Sequence, residues 1–501
     1  MSDTPTTESR LIVVSNRLPI SMSREENGTW QIEPAAGGLV TALAPVLRER
    51  GGVWIGWPGT VAEEGPDLDQ IRSGAGAEAG YELDPVVLTA AERDKFYLGF
   101  ANEIIWPLFH DLQSHCNFDP SYWEVYEQVN GKFAEVVLRH CRPGDYIWVH
   151  DYHLMHVAHY LRREGVTCPI GFFLHIPFPP LDIFLKLPWR AQVLTALLEY
   201  DLVGFQTLRD RYNFVNCVRA LVEESSVHGT GQVITMRIGD REVRLGSFPI
   251  SIDARAFADE AASSDVAEHV RTLDDAFPGQ QIVLGVDRLD YTKGLPYKFE
   301  AFRAALHRYP ELVGKLTLVQ VVVPSRTEIS TYADLKEEVD RLVGEINGQF
   351  TQPGWVPIHY IVRSLDQPEL LAYYRGSHIA FVTSLKDGMN LVAKEYCACS
   401  AGDGVLIMSE FAGAAGQFCH DALLVNPYDV AGMAEAVYRA WSMSADERRA
   451  RMHNLKEHVA KYDVFWWVDS FLAAGLADDL DSFADDEVEN YLPKIRLERW
   501  L

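Results

Sequence analysis

The stretch Gln281–Arg308 reads QIVLGVDRLDYTKGLPYKFEAFRAALHR, and it decides the fold class of this chain. It opens with a short, apolar, β-branched run, which predicts a strand over Ile282–Val286. The pattern that follows predicts a helix over Leu295–Arg308, with Pro296 suited to its first turn. A strand, a loop and a helix in direct succession are the repeating unit of a parallel α/β domain.

The same alternation of strand and helix continues along most of the chain. Further strands of the first half are predicted over Leu11–Ser15, Val53–Trp57, Tyr146–His150, Ile170–His175 and Leu202–Phe205. Further strands of the second half are predicted over Leu316–Val322, His359–Val362, Ile379–Thr383, Val405–Met408 and Ala422–Val425. The accompanying helices include Gly38–Glu49, His156–Glu164, Ile329–Ile346 and Asn390–Ser400. Two parallel sheets in series follow from this pattern, so the fold class is α/β.

Two domains and a C-terminal tail are expected from the order of these elements. The junction is expected near Phe248–Asp253, where FPISID ends the first series of strands. The expected limits are 1–248 for an N-terminal Rossmann-like domain, 249–476 for a C-terminal Rossmann-like domain and 477–501 for an acidic tail. One or two long helices are expected over Ala445–Leu476. Ligands of such sheets bind at the carboxyl ends of the strands, so two facing domains would enclose an active-site cleft.

The charge balance excludes two classes of partner. The 501 residues include 45 Lys and Arg against 71 Asp and Glu, which gives a net charge of −26. A surface this acidic repels nucleic acid and anionic membranes at long range, so neither is an expected partner. It also repels small phosphorylated substrates. An enzyme that used one would have to concentrate arginine and lysine locally.

The expected location is the cytoplasm. Met1–Glu8 is polar, and the chain has no run of about 18 apolar residues that could span a bilayer. The seven cysteines are scattered, and the nearest pair, Cys397 and Cys399, falls in a predicted helix. Buried thiols are therefore expected rather than metal ligands or disulfides.

The loop after the strand Ile282–Val286 carries two cations that suit a diphosphate. Arg288 and Lys293 lie five residues apart at the carboxyl end of that strand. They could clamp a diphosphate and stabilise its charge as it leaves. The alternative is that both are surface cations paired with Asp287 and Asp290.

A second candidate segment is DGMNLVAKE, from Asp387 to Glu395. Gly388 marks a turn into a helix that Asp387 could cap. Eight residues of helix rise about 12 Å and would place Asp387 and Glu395 on nearly the same side. The two carboxylates could then hold hydroxyls at the two ends of a nucleotide sugar. The alternative is an N-cap aspartate and an exposed glutamate.

The first half of the chain offers weaker signals. Gly37 and Gly38 open a helix and would let an anion approach the backbone amides, but their spacing does not match the dinucleotide-binding G-x-G-x-x-G pattern. The sequence His150-Asp151-Tyr152-His153 has the H-x-x-H spacing of zinc ligands, yet no third ligand is evident, so no metal site is expected. Binding of sugar hydroxyls by Asp151 and His175 is the preferred interpretation.

Eight motifs follow one another in a fixed order between Ser15 and Tyr396. They read SNRLP, GGL, WPLFH, HDYHL, FFLHIPFP, GFQT, RLDYTKGLP and DGMNLVAKEY. Together they resemble the trehalose-6-phosphate synthases, over roughly Arg10 to Phe471. The resemblance implies two facing Rossmann-like domains in the GT-B arrangement. It also implies transfer of glucose from a nucleoside diphosphate glucose, UDP- or GDP-glucose, to glucose 6-phosphate with retention of configuration and without a cofactor.

The resemblance also implies which residues bind each substrate. The donor would be contacted by Gly37, Gly38, His175, Arg288, Lys293, Leu365, Asp387, Leu391, Val392 and Glu395. The acceptor would be contacted by Arg17, Tyr97, Trp106, Asp151 and Arg326. The residues implied to act in catalysis are Arg288 and Lys293 on the diphosphate and Asp387 and His175 on the transferred glucose.

Three alternatives remain open on the sequence. One is a pseudo-glycosyltransferase that joins cyclitols on the same scaffold, which altered contacts to the donor sugar would favour. Another is a non-catalytic sugar-phosphate sensor, which would tolerate the loss of Arg288 or Lys293, both present here. The third is a nicotinamide-dependent oxidoreductase, an alternative from the fold alone. The donor base and the formation of a homo-oligomer are also left open.

Overall fold

The structure, a computed structural model, forms two compact units. It describes residues 10–24, 30–34, 38–65, 67–75, 79–324, 330–477, 479–480 and 483. The first unit runs to Ile250 and takes up the chain again at Val464, and the second unit comprises Ser251–Asp463. The boundary at Ile250 lies inside the expected junction. The expected limits differ from the structure at the C-terminal end, because the end of the segment Ala445–Leu476 lies with the first unit, as do the described residues between 477 and 483.

Within the described residues, the first unit contains a nine-stranded sheet and a separate two-stranded pair. The strands are β1 (Leu11–Arg17), β2 (Ile20–Arg24), β3 (Trp30–Pro34), β4 (Gly52–Trp57), β5 (Glu82–Pro85), β6 (Tyr146–His150), β7 (Ile170–Phe173), β8 (Leu202–Phe205), β9 (Ser225–His228), β10 (Val233–Ile238) and β11 (Arg241–Ser247). The large sheet has the order β5-β4-β1-β6-β7-β8-β11-β10-β9. It is parallel as far as β11, but β10 pairs antiparallel with both β9 and β11, so the expectation of an all-parallel sheet is wrong at this edge.

The main helices of the first unit alternate with its strands along the chain. They are α1 (Gly38–Arg50), α2 (Ala90–Glu92, Arg93–Ile105 and Trp106–Phe109 in unbroken succession, the middle part π-helical), α3 (Pro120–His140), α4 (Val157–Arg163), α5 (Arg190–Leu197) and α6 (Leu208–Leu221). A capping box of Thr89 and Glu92 starts α2. Asp119 caps α3 and Thr207 caps α6.

The described part of the second unit contains a six-stranded sheet that is parallel throughout. Its strands are β12 (Gln281–Arg288), β13 (Leu316–Val323), β14 (Ile358–Ile361), β15 (Ile379–Val382), β16 (Val405–Ser409) and β17 (Leu423–Val425). Its helices are α7 (Ala254–Ala261), α8 (Ser264–Ala276), α9 (Leu295–Arg308), α10 (Ser330–Phe350), α11 (Gln367–Gly376), α12 (Leu391–Cys399), α13 (Val430–Ser442) and α14 (Ala445–Lys461). None of the helices in the described ranges is both long and apolar enough to cross a lipid bilayer.

Both sheets have the strand order of a Rossmann fold. In the first unit β1, β4, β5, β6, β7 and β8 take the parts of strands one to six, and their order in the sheet is 3-2-1-4-5-6. In the second unit β12 to β17 have the same order. The chain therefore reverses direction across each sheet next to its first strand, between β1 and β6 and between β12 and β15.

The last described helix, α15 (Val464–Leu476), returns to the first unit. Phe471 stacks on Trp148 of β6 with ring centroids 4.3 Å apart and an interplanar angle of 4°. Gly171 and Gly204 make room for it, since a Cβ at either position would lie 2.9 or 2.7 Å from the Phe471 ring. A helix that follows the second unit in the sequence thus packs on the sheet of the first unit.

A buried polar network fixes the end of β12 to the start of α9. The Lys298 ammonium donates to Asp287 Oδ2 at 2.5 Å, and both side chains are almost fully buried. Gln320 Nε2 donates to the same oxygen at 3.0 Å. Because all three groups are paired, the charge of Asp287 is compensated inside the unit. The loop between β12 and α9 is therefore held at both of its ends.

Candidate active site

The predicted site residues lie where each sheet reverses its strand order. Open α/β sheets bind their ligands at this place, outside the carboxyl ends of the strands. In the first unit Arg17 ends β1 and Asp151 directly follows β6. In the second unit Arg288 ends β12, and the loop after β15 leads to Asp387. The topology alone therefore selects the segments that the motifs had singled out.

Arg17 belongs to an aromatic cluster in the first unit. Its guanidinium carbon lies 4.9 Å from the centroid of the Trp57 ring, and the group packs against the backbone of Gly59. The Tyr97 ring lies 5.6 Å from Trp57. Desolvation lowers the pKa of Arg17, yet an arginine stays charged at any physiological pH. Among the described residues no carboxylate forms an ion pair with Arg17, so its charge can serve an anion.

Trp106 and Tyr97 reach the same neighbourhood from α2. Trp106 is buried, with its ring 5.9 Å from that of Tyr152. The Tyr152 hydroxyl donates to Asn102 Oδ1 at 3.2 Å, and Asn102 Nδ2 donates to the Tyr97 carbonyl at 2.6 Å. This chain of bonds ties α2 to the turn after β6. The π-helical middle of α2 thus carries Tyr97, and the α-helical part that follows begins with Trp106.

Asp151 and His175 are joined directly. Asp151 has a φ of 74°, a left-handed value that is rare outside glycine, at the sharp turn after β6. Its Oδ1 accepts a hydrogen bond from the His175 backbone N–H at 3.2 Å. Burial lowers the pKa of His175 to about 3, so its imidazole is neutral at physiological pH. Asp151 thus fixes the backbone of a residue whose imidazole is neutral.

Lys293 and Asp387 form the centre of the site in the second unit. Lys293 Nζ lies 2.6 Å from Asp387 Oδ2, and each side chain is only 14% exposed. The same oxygen accepts from Ser384 Oγ and from Asn390 Nδ2, both at 3.1 Å. The alternative of pairing within the β12 loop is wrong for Lys293, because its ion-pair partner Asp387 comes from the loop after β15 and Asp287 binds Lys298 instead.

The predicted helical spacing between Asp387 and Glu395 is wrong. The helix α12 begins at Leu391, and Asn390 caps it by accepting from the Ala393 N–H at 3.0 Å. Asn390 itself has a φ of 83°. Asp387 lies in the preceding loop, so the two carboxylates are not separated by two turns of one helix. What positions Asp387 is its set of hydrogen bonds to Lys293 and Asn390.

Glu395 is held by one neighbour. The Tyr374 hydroxyl, from α11, donates to Glu395 Oε2 at 2.7 Å. Burial raises the pKa of Glu395, and the Tyr374 bond counteracts part of this rise. Within the described chain the other carboxylate oxygen has no hydrogen-bond partner, so it can accept from a ligand. The alternative of an exposed glutamate is wrong.

For several other predicted residues only the position in the fold or the exposure is described. Gly37 and Arg326 lie outside the described residues, and Gly38 is the first residue of α1. Leu391 and Val392 occupy the first turn of α12, where backbone N–H groups have no partner within the helix. Leu365 is half-buried between β14 and α11, and Arg288 is exposed.

In the described ranges no group of three or more His, Cys, Asp or Glu is placed so that it could hold a metal ion. All seven cysteines are free thiols, and Cys397 and Cys399 are buried in α12. His153, the second histidine of the H-x-x-H sequence, stacks on Tyr97 with ring centroids 5.8 Å apart. It therefore serves packing in this structure.

Sequence reasoning missed four residues that shape the site. These are Trp57, His150, Tyr374 and Asn390. Asn390 could have been found, since asparagine directly before a helix is a preferred N-cap. Tyr374 carried no such signal, because its contact with Glu395 depends on how α11 and α12 pack.

A family model supplies the identification. The model for "Glycosyltransferase family 20" matches residues 9–475. The chain belongs to glycosyltransferase family 20. This confirms the enzyme class and the family resemblance drawn from the eight motifs.

Proteins similar to this member of family 20 include two curated relatives. One is "Alpha,alpha-trehalose-phosphate synthase [UDP-forming]" of Yarrowia lipolytica, 42% identical, with 92% of this chain and 98% of the relative covered. The other is "Trehalose-6-phosphate synthase" of Mycobacterium tuberculosis, 40% identical, with 93% and 94% covered. Against a longer relative from Dictyostelium discoideum, 39% identical, the chain spans 61% of the length.

Two solved structures are similar to this family 20 chain over most of its length. A Burkholderia xenovorans alpha,alpha-trehalose-phosphate synthase (UDP-forming) in complex with glucose-6-phosphate has a TM-score of 0.84 at 35% identity, covering 94% of this chain and 100% of that one. An E. coli protein bound with UDP-2-fluoro glucose has a TM-score of 0.84 at 36% identity, covering 94% and 99%. The GT-B fold class expected from the sequence is thereby confirmed.

Proposed function

We propose that this protein is a trehalose-6-phosphate synthase that transfers glucose from UDP-glucose to glucose 6-phosphate. The products are α,α-trehalose 6-phosphate and UDP, and no cofactor takes part. The observation that carries the proposal is the ion pair of Lys293 and Asp387 at the carboxyl ends of β12 and β15. It places a cation and a sugar-binding carboxylate together where a Rossmann sheet binds nucleotides. Relatives described as UDP-forming support uridine as the donor base.

The donor is held by the residues that the family resemblance implies. Arg288 and Lys293 hold the diphosphate, helped by the backbone N–H groups of Leu391 and Val392 at the start of α12. The free oxygen of Glu395 accepts from the ribose. The remaining donor contacts are those of Gly37 and Gly38 near the diphosphate, of Asp387 and His175 to the transferred glucose, and of Leu365 to the base.

The acceptor is recognised by its phosphate. Arg17 and Arg326 bind the phosphate, together with the Tyr97 hydroxyl, since a guanidinium fork matches phosphate geometry. Trp106 and Asp151 line the pocket for the sugar. The support is the charge of Arg17, which packs against Trp57 and forms no ion pair with a carboxylate among the described residues.

Retention of configuration follows from the use of the leaving group as the base. The diphosphate departs from the face on which the acceptor hydroxyl arrives, and it takes the proton of that hydroxyl. The neutral imidazole of His175 is available to bind a sugar hydroxyl rather than to remove a proton. Negative charge grows on the diphosphate in the transition state, so a preorganised cation stabilises that state more than the bound substrate.

The test is an assay of three donors with one acceptor. The protein is incubated with glucose 6-phosphate and UDP-, GDP- or ADP-glucose, and released nucleoside diphosphate and sugar product are measured. UDP release with equimolar α,α-trehalose 6-phosphate is expected, and release without acceptor measures hydrolysis. A faster reaction with GDP-glucose would correct the donor base. Binding of glucose 6-phosphate without any transfer would support the sensor. In a parallel reaction with a cyclitol in place of glucose 6-phosphate, transfer to the cyclitol alone would support the pseudo-glycosyltransferase.

Glu395→Ala should raise KM for UDP-glucose about 10- to 100-fold, the effect of losing charge-assisted hydrogen bonds to the ribose. The value of kcat should change little, because contacts to the ribose are equal in the ground and transition states. Steady-state kinetics with each substrate varied in turn measures this. KM for glucose 6-phosphate should stay constant.

Tyr374→Phe is the matched control for Glu395. It keeps the carboxylate but removes the hydroxyl that orients it, so KM for the donor should rise by a smaller factor than in Glu395→Ala. A normal donor KM with a raised acceptor KM in Glu395→Ala would reverse the assignment of the two sites.

A cytoplasmic location is part of the proposal. The seven cysteines of the chain are free thiols in the structure, which is the state that a reducing compartment maintains. Small-molecule substrates are the proposed partners.

A further inference from the structure

A second histidine lies directly behind His175. His150 Nδ1 is 3.2 Å from His175 Nε2, within hydrogen-bond distance. His150 ends β6, and only 1% of its surface is exposed. Its other ring nitrogen, Nε2, is buried with no hydrogen-bond partner among the described residues. The hydrogen bond to His175 is thus the one polar contact that the described chain gives the His150 ring.

The surroundings of His150 are aromatic. Its ring centroid lies 4.7 Å from that of Trp148 and 6.3 Å from that of Trp467 on α15. Burial holds the pKa of His150 well below its usual value and lowers that of His175 to about 3. Both rings are therefore neutral at physiological pH. Each ring carries one N–H proton, which can lie on either Nδ1 or Nε2.

Two neutral imidazoles can share this bond in two ways. In the first, His150 Nδ1 donates to His175 Nε2, and His150 Nε2 is left with a bare lone pair. In the second, His175 Nε2 donates to His150 Nδ1, and His150 Nε2 is left with a buried N–H that has no acceptor. Buried N–H groups without a partner are the rarer kind of unsatisfied group in proteins. The first arrangement is therefore the more stable one.

We propose that His150 is a positioning residue that donates from Nδ1 to His175 Nε2 and so fixes the proton of His175 on Nδ1. In the described chain Nδ1 of His175 makes no hydrogen bond, so it is the nitrogen left for a ligand. His175 then presents an N–H donor, and its partner on the substrate is a hydroxyl oxygen. This last step rests on the proposed function, in which His175 binds the transferred glucose.

The tautomer can be read without any substrate. Protein labelled with ¹⁵N-histidine is examined by long-range ¹H–¹⁵N NMR at pH 7, and the His175 signals are assigned from their loss in His175→Gln. The expected result is a protonated Nδ1 and an unprotonated Nε2 on His175. A protonated Nε2 in the wild-type protein would overturn the proposal, whatever the protein's activity. Nδ1 protonation without any glucosyl transfer would instead contradict only the proposed function.

Kinetics then tests the link to the donor. His150→Phe should lower kcat/KM for UDP-glucose about 5- to 10-fold, the scale of one net hydrogen bond, with KM for glucose 6-phosphate unmoved. His150→Asn, whose side-chain amide restores a donor near the position of Nδ1, should recover most of the loss and keep the Nδ1 tautomer of His175. Equal kinetics for the two variants would overturn the positioning role.

His156→Phe is the matched control for loss of a buried imidazole. His156 is also buried in the first unit, beside the rings of Trp123 and Tyr126, and it does not contact His175. Its replacement should leave the donor kinetics and the NMR signals of His175 unchanged. An equal loss of kcat/KM in His156→Phe would show a general packing effect and contradict the proposal. If His150→Phe does not fold, the wild-type spectrum and His150→Asn still decide the question.

Discussion

The wild-type protein should prefer glucose 6-phosphate to glucose by roughly 10³–10⁵ in kcat/KM, as sites built for a polar group do when that group is missing. A chain of net charge −26 repels a sugar phosphate at long range, so local cations must overcome this repulsion. Arg17 supplies one such cation, positioned by Trp57 and without a carboxylate partner in the described residues. Glucose lacks the phosphate that would pair with this charge, so its binding would forgo that interaction.

Replacing both arginines, as Arg17→Ala with Arg326→Ala, should remove most of this preference. The loss should come from weaker use of glucose 6-phosphate, with KM for UDP-glucose little changed. Arg48→Ala is the matched control, since Arg48 lies on α1 with its Nε bonded to the Ala79 carbonyl. Both acceptors are measured at fixed donor concentration and ionic strength. A double variant that keeps the full wild-type preference would show that the acceptor phosphate binds elsewhere.

Lys293→Ala should lower kcat by about 10²–10³, the effect of removing one preorganised donor to a developing negative charge. Lys293 is held 2.6 Å from Asp387 and is mostly buried, so its ammonium needs little reorganisation when the diphosphate leaves. KM for UDP-glucose should change less than kcat, because the stabilisation grows as the bond breaks. Single-turnover measurements on the folded variant separate the chemical step from binding.

Lys315→Ala is the matched control for Lys293. Lys315 directly precedes β13, at the amino end of that strand and away from the carboxyl ends that form the site. Its ammonium lies 6.0 Å from the Trp441 ring, and its loss should leave kcat unchanged. Unchanged turnover in folded Lys293→Ala would exclude this residue from stabilising the transition state. If the double variant Lys293→Ala with Asp387→Asn regained the lost kcat, the defect of Lys293→Ala would come from the Asp387 carboxylate left without its cation.

The parts of the fold that sequence predicted well are those with a strong local signal. The strands Tyr146–His150 and Leu202–Phe205 and the helix Leu295–Arg308 have the bounds that were predicted. Short apolar runs with a glycine or proline nearby determine such elements locally. No strand was predicted over the residues of β9 to β11, where buried, half-buried and exposed residues are mixed, so their antiparallel pairing was missed.

Other features depend on contacts between distant parts of the chain. Nothing in the spacing of Val464–Leu476 shows that this helix belongs to the first unit, because its place depends on the room that Gly171 and Gly204 leave for Phe471. The pairing of His150 with His175 likewise depends on the neighbouring positions of β6 and β7 in the sheet.

The sequence predicted which segments carry the candidate-site residues better than it predicted the contacts between those residues. Because the ends of parallel strands meet at one edge, Arg17, Asp151 and Lys293 could be selected from the strand pattern and the motifs. The link between Asp387 and Glu395 was assigned to helix periodicity, which failed since Asn390 starts the helix three residues after Asp387. The sequence indicates where a helix can begin. The ion pair of Lys293 with Asp387, in contrast, depends on how the loops after β12 and β15 pack against each other.

The packing of α15 on the first unit also affects how the nascent chain folds during translation. As the polypeptide leaves the ribosome, the sheet of the first unit emerges with Trp148 and its glycine-lined face uncovered. The segment that covers them is made only after Ser251–Asp463, a delay of roughly 10–40 s at typical rates of translation. During that interval an apolar surface is open to chaperones and to aggregation. The first unit, although translated first, is therefore the last to close its core.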